Sequence, residues 1–152
     1  MYGVRLPDEV SAVRKDSMAC PAMPTCGLAI TESERVLPGM MDRLEKKLTA
    51  LGLHDHRIMV RMTGCPNGCA RPYNAEIAFV GRSVGTYNVY VGGSLIGDRL
   101  NFIYAEKVLE KDLPESVFSL LDLYKKQGEE GEGFGDFCHR LGLEGLRKQV
   151  SG

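Results

Sequence analysis

The chain has 152 residues, 43% hydrophobic and 26% charged, with 19 Lys and Arg against 20 Asp and Glu for a formal charge of -1. That length suits one folded domain with its own core and excludes a large multidomain enzyme within these residues. Near-neutral charge, no Trp and 7% aromatics give no electrostatic or stacking case for nucleic acid, and no apolar run approaches the roughly 18 residues that span a bilayer.

The first residues have no apolar stretch of the secretory kind, which predicts a cytoplasmic protein. Residues 1–19 show no strong periodicity and are expected as an extended arm. Pro21 and Pro24 keep the segment from Cys20 to Cys26 out of a helix. Thr31-Glu32-Ser33-Glu34 has the capping-box pattern and predicts a helical turn. Pro38 then breaks that turn or opens a second helix. Met41, Leu44, Leu48 and Leu51 fall at helical spacing, and Gly52 is a natural C-cap.

Ile58, Val60 and Met62 alternate within 57–63, which predicts a strand running into Gly64 and a cysteine loop. Residues 75–80 and 86–91 read as two strands of a hairpin across the turn 81–85. Another extended piece is expected around 100–104. Val117, Leu120, Leu121 and Tyr124 predict a helix after Pro114. Residues 128–136 are acidic and Gly-rich, and a last helix is expected over 137–150. The layout predicts an α+β fold: a small, mostly antiparallel sheet with helices packed on it and the cysteine loop following a strand. By domain, 1–19 is the arm, 20–128 the cysteine-bearing α+β unit, and 129–152 a hinge and helix of the same unit.

Five cysteines, an odd number, argue against a secreted disulfide framework. Cys20 and Cys26 form a C-x5-C pair, Cys65 and Cys69 a C-x3-C pair, and Cys138 stands alone. Pro66 suits the first position of a helical turn, which would place Cys65 at a helix N-terminus and Cys69 on the same face one turn later. Gly68 lets the backbone approach a bulky group. Met23, Pro24, Met62 and Pro66 are candidate apolar walls. These features favour a [4Fe–4S] cluster, which needs thiolates and backbone N–H donors around its sulfurs. A closed zinc site and unligated thiols remain alternatives from ligand types alone. Cys138 reads as a core residue. Arg57 and Arg61 read as a solvated or ion-paired face, and His54, His56 and His139 as surface or capping residues.

The segments ACPAMPTCGLAITESERVLP and RMTGCPNGCARPYNAEIAFVG resemble the two cluster-binding motifs of the sulfite/nitrite reductase family, in the C-terminal part of its assimilatory sulfite reductases. GTYNVYVGGSLIGDRLNFIY and GEGFGDFCHRLG resemble its downstream segments, so the likeness runs from about residue 18 to 145. The resemblance implies a [4Fe–4S] cluster coupled to sirohaem and a six-electron reduction of sulfite to sulfide. It implies that Cys20, Cys26, Cys65 and Cys69 are the cluster ligands, that Cys69 also bridges to the sirohaem iron, and that Asn67 and Arg71 lie beside that bridge. The motif around Cys20 looks more like the ferredoxin-dependent members.

Family members are several times longer, and their N-terminal portion supplies most sirohaem contacts and the basic residues that hold sulfite. The implied partners are therefore that N-terminal half or a separate subunit, ferredoxin and sulfite, with no nucleic acid and no membrane. No catalytic residue is assigned in this chain, which is expected to be inactive alone. A stand-alone iron–sulfur carrier, a structural zinc domain and a nitrite reductase portion are the competing readings.

Overall fold

The computed structural model describes Gly3 and residues 6–151. Five strands form one sheet in the order β1 (Ser17–Ala19), β2 (Val60–Thr63), β3 (Ile77–Ser83), β4 (Thr86–Val91) and β5 (Phe102–Leu109). Four helices accompany it: α1 (Ala12–Lys15), α2 (Leu37–Ala50), α3 (Glu115–Gln127) and α4 (Phe134–Ser151). The fold is α+β with helices packed on a small sheet, as the periodicities predict, and the sheet is mixed, not strictly antiparallel. The β1–β2 and β2–β3 pairings are parallel, and β3–β4 and β4–β5 are antiparallel. Parallel neighbours need a long crossover. The chain supplies one through α2 between β1 and β2, and another through the second cysteine loop between β2 and β3.

The expected arm differs from the observed structure over the residues described. Ser11 caps α1, its Oγ accepting from Arg14 N–H at 3.2 Å. Arg14 in turn pairs with Asp42 at 2.7 Å and with Glu45, tying α1 to α2. Ser17–Ala19 then enters the sheet beside β2. A three-residue strand is too short to show alternation, so it left no legible pattern. Residues 1, 2, 4 and 5 lie outside the described residues.

The capping-box pattern at Thr31 does not start a helix. Helical bonding begins at Ser33, whose carbonyl accepts from Val36 N–H at 3.1 Å and Leu37 N–H at 2.9 Å. Pro38 lies in the first turn of α2, and Gly52 ends that helix in the left-handed region at φ +69°. The hydroxyls that signalled a cap serve strand ends instead. Ser33 Oγ donates to Met62 O at 2.8 Å, and Thr31 Oγ1 lies 3.4 Å from Gly64 O.

One core joins the helices to the sheet. Met41, Leu44 and Leu48 of α2, Leu120 and Leu121 of α3, and Phe134, Phe137 and Cys138 of α4 pack with Met62, Phe79 and Val89. Those three strand residues are cross-strand partners. Alternation along a strand therefore turns Arg61, Thr63, Ala78, Val80, Asn88 and Tyr90 to the opposite face. Met62, expected to wall the cysteine site, belongs to the helix-covered face instead. Cys138 is fully buried and its thiol is pushed up by burial, as a core residue should be.

At the other end of the sheet, the carboxylate of Glu76 is buried and accepts two backbone N–H bonds, from Met59 at 2.8 Å and Gly135 at 2.9 Å. Burial pushes its pKa above the ordinary 4.5, with the two N–H donors opposing. Glu76→Ala should cost about 2–4 kcal/mol of stability in denaturant unfolding, because two N–H donors lose their acceptor. Because the folded pKa is raised, ionisation disfavours the folded state. Stability relative to Glu76→Gln should then fall as pH rises from 4.5 through the folded value.

Candidate functional site

The parallel strands β1 and β2 end side by side, and each runs directly into a cysteine loop. Ala19 stands opposite Met62, and one residue on, Cys20 N–H donates to Met62 O at 3.1 Å. Gly64 N–H points at Cys20 Sγ at 3.3 Å. The first loop then returns over the same point, where Ile30 and Thr31 N–H both donate to Gly64 O, at 2.9 and 3.0 Å. Within that loop Cys26 N–H donates to Ala22 O at 2.7 Å, and the Met23–Pro24 peptide is cis.

Gly64 is where the two loops meet, and only a residue without a side chain fits there. A Cβ on Gly64 would lie 2.5 Å from Ala22 Cβ and 2.6 Å from Thr31 O. Gly81 on β3 is similarly confined, since its Cβ would meet Thr31 Oγ1 at 2.4 Å and Gly64 O at 2.5 Å. Neither glycine has a positive φ. The requirement is for space, not for an unusual backbone conformation.

The second loop is not helical, contrary to the sequence expectation. Residues 65–70 form turns, with Gly68 at φ +73°. Arg71 N–H donates to Gly68 O at 2.9 Å and Tyr73 OH to Pro66 O at 2.6 Å. The chain reverses at Gly68, so Cys65 and Cys69 are presented by a turn and not by one helix face. Cys65 is buried, Cys20 and Cys26 are half-buried, and Cys69 is exposed; none is in a disulfide. Asn67 and Arg71 are exposed beside Cys69. Among the described residues, no three His, Cys, Asp or Glu side chains converge closely enough to hold a single metal ion. Four free thiols lie on two loops pinned at Gly64, one of them facing a backbone N–H, and these are the residues that could hold a thiolate-bound group.

Charge gathers on the sheet face away from the helices. Arg57 is the ion-paired residue expected, with two 2.9 Å bonds to Asp16. Arg61 is different. Its Nη1 donates to Asp16 O at 2.7 Å, and its Nε is buried without a partner. Burial, then the charge of Arg71, holds its pKa below the usual arginine value. Burial raises the pKa of the Tyr73 phenol, with Arg82 opposing, and the Tyr73 ring meets Tyr90 edge-on at 5.6 Å. Arg71, Tyr73, Asn74 and Leu100 line a small cleft of about 180 Å³. Exposed apolar side chains occur on both loops' surroundings: Met23, Leu28 and Leu100.

Sequence reasoning took Arg61 for a solvated or ion-paired residue, where the structure buries its Nε, and passed over Thr63, Tyr73 and Arg82. The alternation of Met62 carried a usable signal for Arg61 and Thr63. Tyr73 and Arg82 had none. Among the histidines, His54 lies 3.0 Å from Asp55, His56 Nδ1 lies 3.3 Å from Tyr124 OH, and His139 is exposed. Among the described residues, no helix is long and apolar enough to cross a membrane.

The chain is similar to known proteins. A family model described as the nitrite and sulphite reductase 4Fe-4S domain matches residues 10–152. The sulfite reductase [NADPH] hemoprotein beta-component of Staphylococcus carnosus is 51% identical over 142 residues, 93% of this chain and 25% of that protein. The sulfite reductase [ferredoxin] of Synechococcus elongatus is 47% identical over 146 residues, 96% of this chain and 23% of that protein. The chain thus spans about a quarter of the length of these curated relatives. Among solved structures, the Mycobacterium tuberculosis NirA protein superposes with a TM-score of 0.78 at 28% identity, covering 91% of this chain and 27% of NirA. A dissimilatory sulfite reductase I, DsrI, shares the fold with a TM-score of 0.63 at 12% identity, covering 90% of this chain and 52% of that one. With the family match spanning nearly every residue and two cysteine loops meeting at one glycine, this chain belongs to the nitrite and sulphite reductase 4Fe-4S domain family.

Proposed function

We propose that this chain is the cluster- and sirohaem-binding portion of a sulfite reductase, with Cys20, Cys26, Cys65 and Cys69 as the four ligands of a [4Fe–4S] cluster. The observation that carries this reading is the junction at Gly64, which brings both cysteine loops to the ends of two adjacent parallel strands. Gly64 N–H supplies the kind of donor that a thiolate-bound cluster requires once water is excluded. The family is itself described by its 4Fe-4S domain. When bound, the cluster and sirohaem would relay one at a time the six electrons that an external donor supplies for the reduction of sulfite to sulfide.

What the chain's own residues do follows from their places. Cys20 and Cys26, both half-buried, buried Cys65 and exposed Cys69 would hold the cluster, and Cys69, as the exposed one of the four, would also be the residue that meets the sirohaem. Asn67 and Arg71 flank Cys69, and Arg71 suits a sirohaem carboxylate, since guanidinium pairs well with that group. The remaining carboxylates and the sulfite anion need cations from outside this chain. The relatives' remaining length accommodates them, in an N-terminal half or a separate subunit. The motif around Cys20 favours ferredoxin as the donor; relatives named for ferredoxin and for NADPH both match. Nitrite is the second substrate reading, because the family description covers both anions.

Anaerobic reconstitution with iron and sulfide tests the cluster. Single Cys→Ser changes at the four positions should each lower the iron content from about four per chain, and Cys138→Ser should not. Full iron retention in Cys69→Ser overturns the ligand set. Gly64→Ala should also lose iron and cost about 1–3 kcal/mol of stability, because a methyl group there forces the loops apart. For the sirohaem reading, the chain supplied with both cofactors and reduced methyl viologen should produce no sulfide until an N-terminal half is added. Turnover by the chain alone at the rate of the long relatives would overturn its dependence on that partner.

A further inference from the structure

Thr63, the last residue of β2, is 1% exposed, yet its Oγ1 has no hydrogen-bond partner. The neighbouring backbone groups of Met62 and Gly64 are engaged, while Arg61 Nε, two residues back on the same face, is also buried without a partner. Met62 O accepts from Cys20 N–H and Ser33 Oγ. Gly64 N–H faces Cys20 Sγ, and Gly64 O accepts from Ile30 and Thr31. A buried hydroxyl without a partner is a destabilising feature, and nearly isosteric Val would fill the same space without it. An unmet donor beside engaged backbone groups indicates an acceptor supplied from outside the polypeptide.

The strand register shows what lies beside it. Met62 points into the core under the helices, so Thr63 points to the opposite face. Ala19 is the partner of Met62, which makes Cys20 the next position across from Thr63. In paired strands such neighbours lie roughly 5 Å apart and share a face. The sulfur of Cys20 and the orphaned hydroxyl of Thr63 therefore occupy the same corner of the sheet.

We propose that the Thr63 hydroxyl donates a hydrogen bond to a sulfur of the cluster at Cys20, alongside Gly64 N–H, and thereby raises the cluster's reduction potential. The proposal rests on the four-cysteine cluster reading. Its physical basis is that reduction adds negative charge to the cluster, and donors to its sulfurs stabilise the more negative state more strongly.

The experiment is a potentiometric titration of the reconstituted chain followed by electron paramagnetic resonance, for the wild type, Thr63→Val and Thr63→Ser. Iron and sulfide content and the absorption spectrum are read first. With normal iron content in all three, the midpoint potential should drop in Thr63→Val and return toward the wild-type value in Thr63→Ser. Equal potentials in wild type and Thr63→Val overturn the role of Thr63 while leaving the cluster reading intact. Thr63→Val that takes up no iron, beside Thr63→Ser that loads normally, also overturns it, because the hydroxyl then serves assembly of the loops. A wild-type chain that binds zinc but not iron and sulfide overturns the cluster reading, and the Thr63 proposal with it.

Discussion

The architecture of the cysteine region depends on the backbone of one residue, Gly64. Its carbonyl accepts two N–H groups from the returning first loop, and its N–H faces the sulfur of Cys20. The absence of a side chain lets Ala22 and Thr31 close over it. The end of β1 and the loop through Cys26 that follows it are thereby fixed at one point to the distant end of β2. Gly81 extends the same close packing to β3. A bulky group bound by both loops requires such a fixed frame, since loops that moved independently would not present their sulfurs to one object.

The rest of the fold holds that frame in place from one side. Helices α2, α3 and α4 bury their apolar stripes against Met62, Phe79 and Val89, which leaves the alternating residues of the strands on the other face. That face holds Arg61, Thr63 and Tyr90, with Arg71 and Tyr73 nearby, and buried polar atoms of Arg61 and Thr63 lack partners. Glu76 fixes the opposite end by joining the segment before β2 to the first turn of α4. The helix-covered side is satisfied internally. Among the described residues, the buried side-chain atoms without partners are Arg61 Nε and Thr63 Oγ1 on the opposite face of β2, and Asn101 Oδ1 just before β5.

Much of this was legible in residue order. The stripe of Met41, Leu44 and Leu48 and that of Val117, Leu120, Leu121 and Tyr124 are helices in the structure. The hairpin across 81–85 is present. The two cysteine pairs and their flanking motifs carried the family, because the spacing of Cys, Pro and Gly in such loops is specific. Other signals misled for physical reasons. Thr31 and Ser33 look like helix caps, but their hydroxyls bond to strand carbonyls that lie far away in sequence. Pro66 looks like a helix start, but Gly68 adopts a left-handed conformation and turns the chain back toward Tyr73.

By itself, the sequence determined the three long helices α2, α3 and α4, the hairpin, the cysteine motifs and the family, since each is carried by local periodicity or by a short pattern. Tertiary structure alone decided the parallel pairing of β1 with β2 and β2 with β3, because alternation marks a strand's faces but not its direction. It alone revealed the close contact at Gly64, because a glycine's need for space depends on which atoms arrive from elsewhere. It alone separated Arg57 from Arg61 and isolated the hydroxyl of Thr63. Whether a polar atom is paired depends on partners brought together by folding, and no local pattern records them.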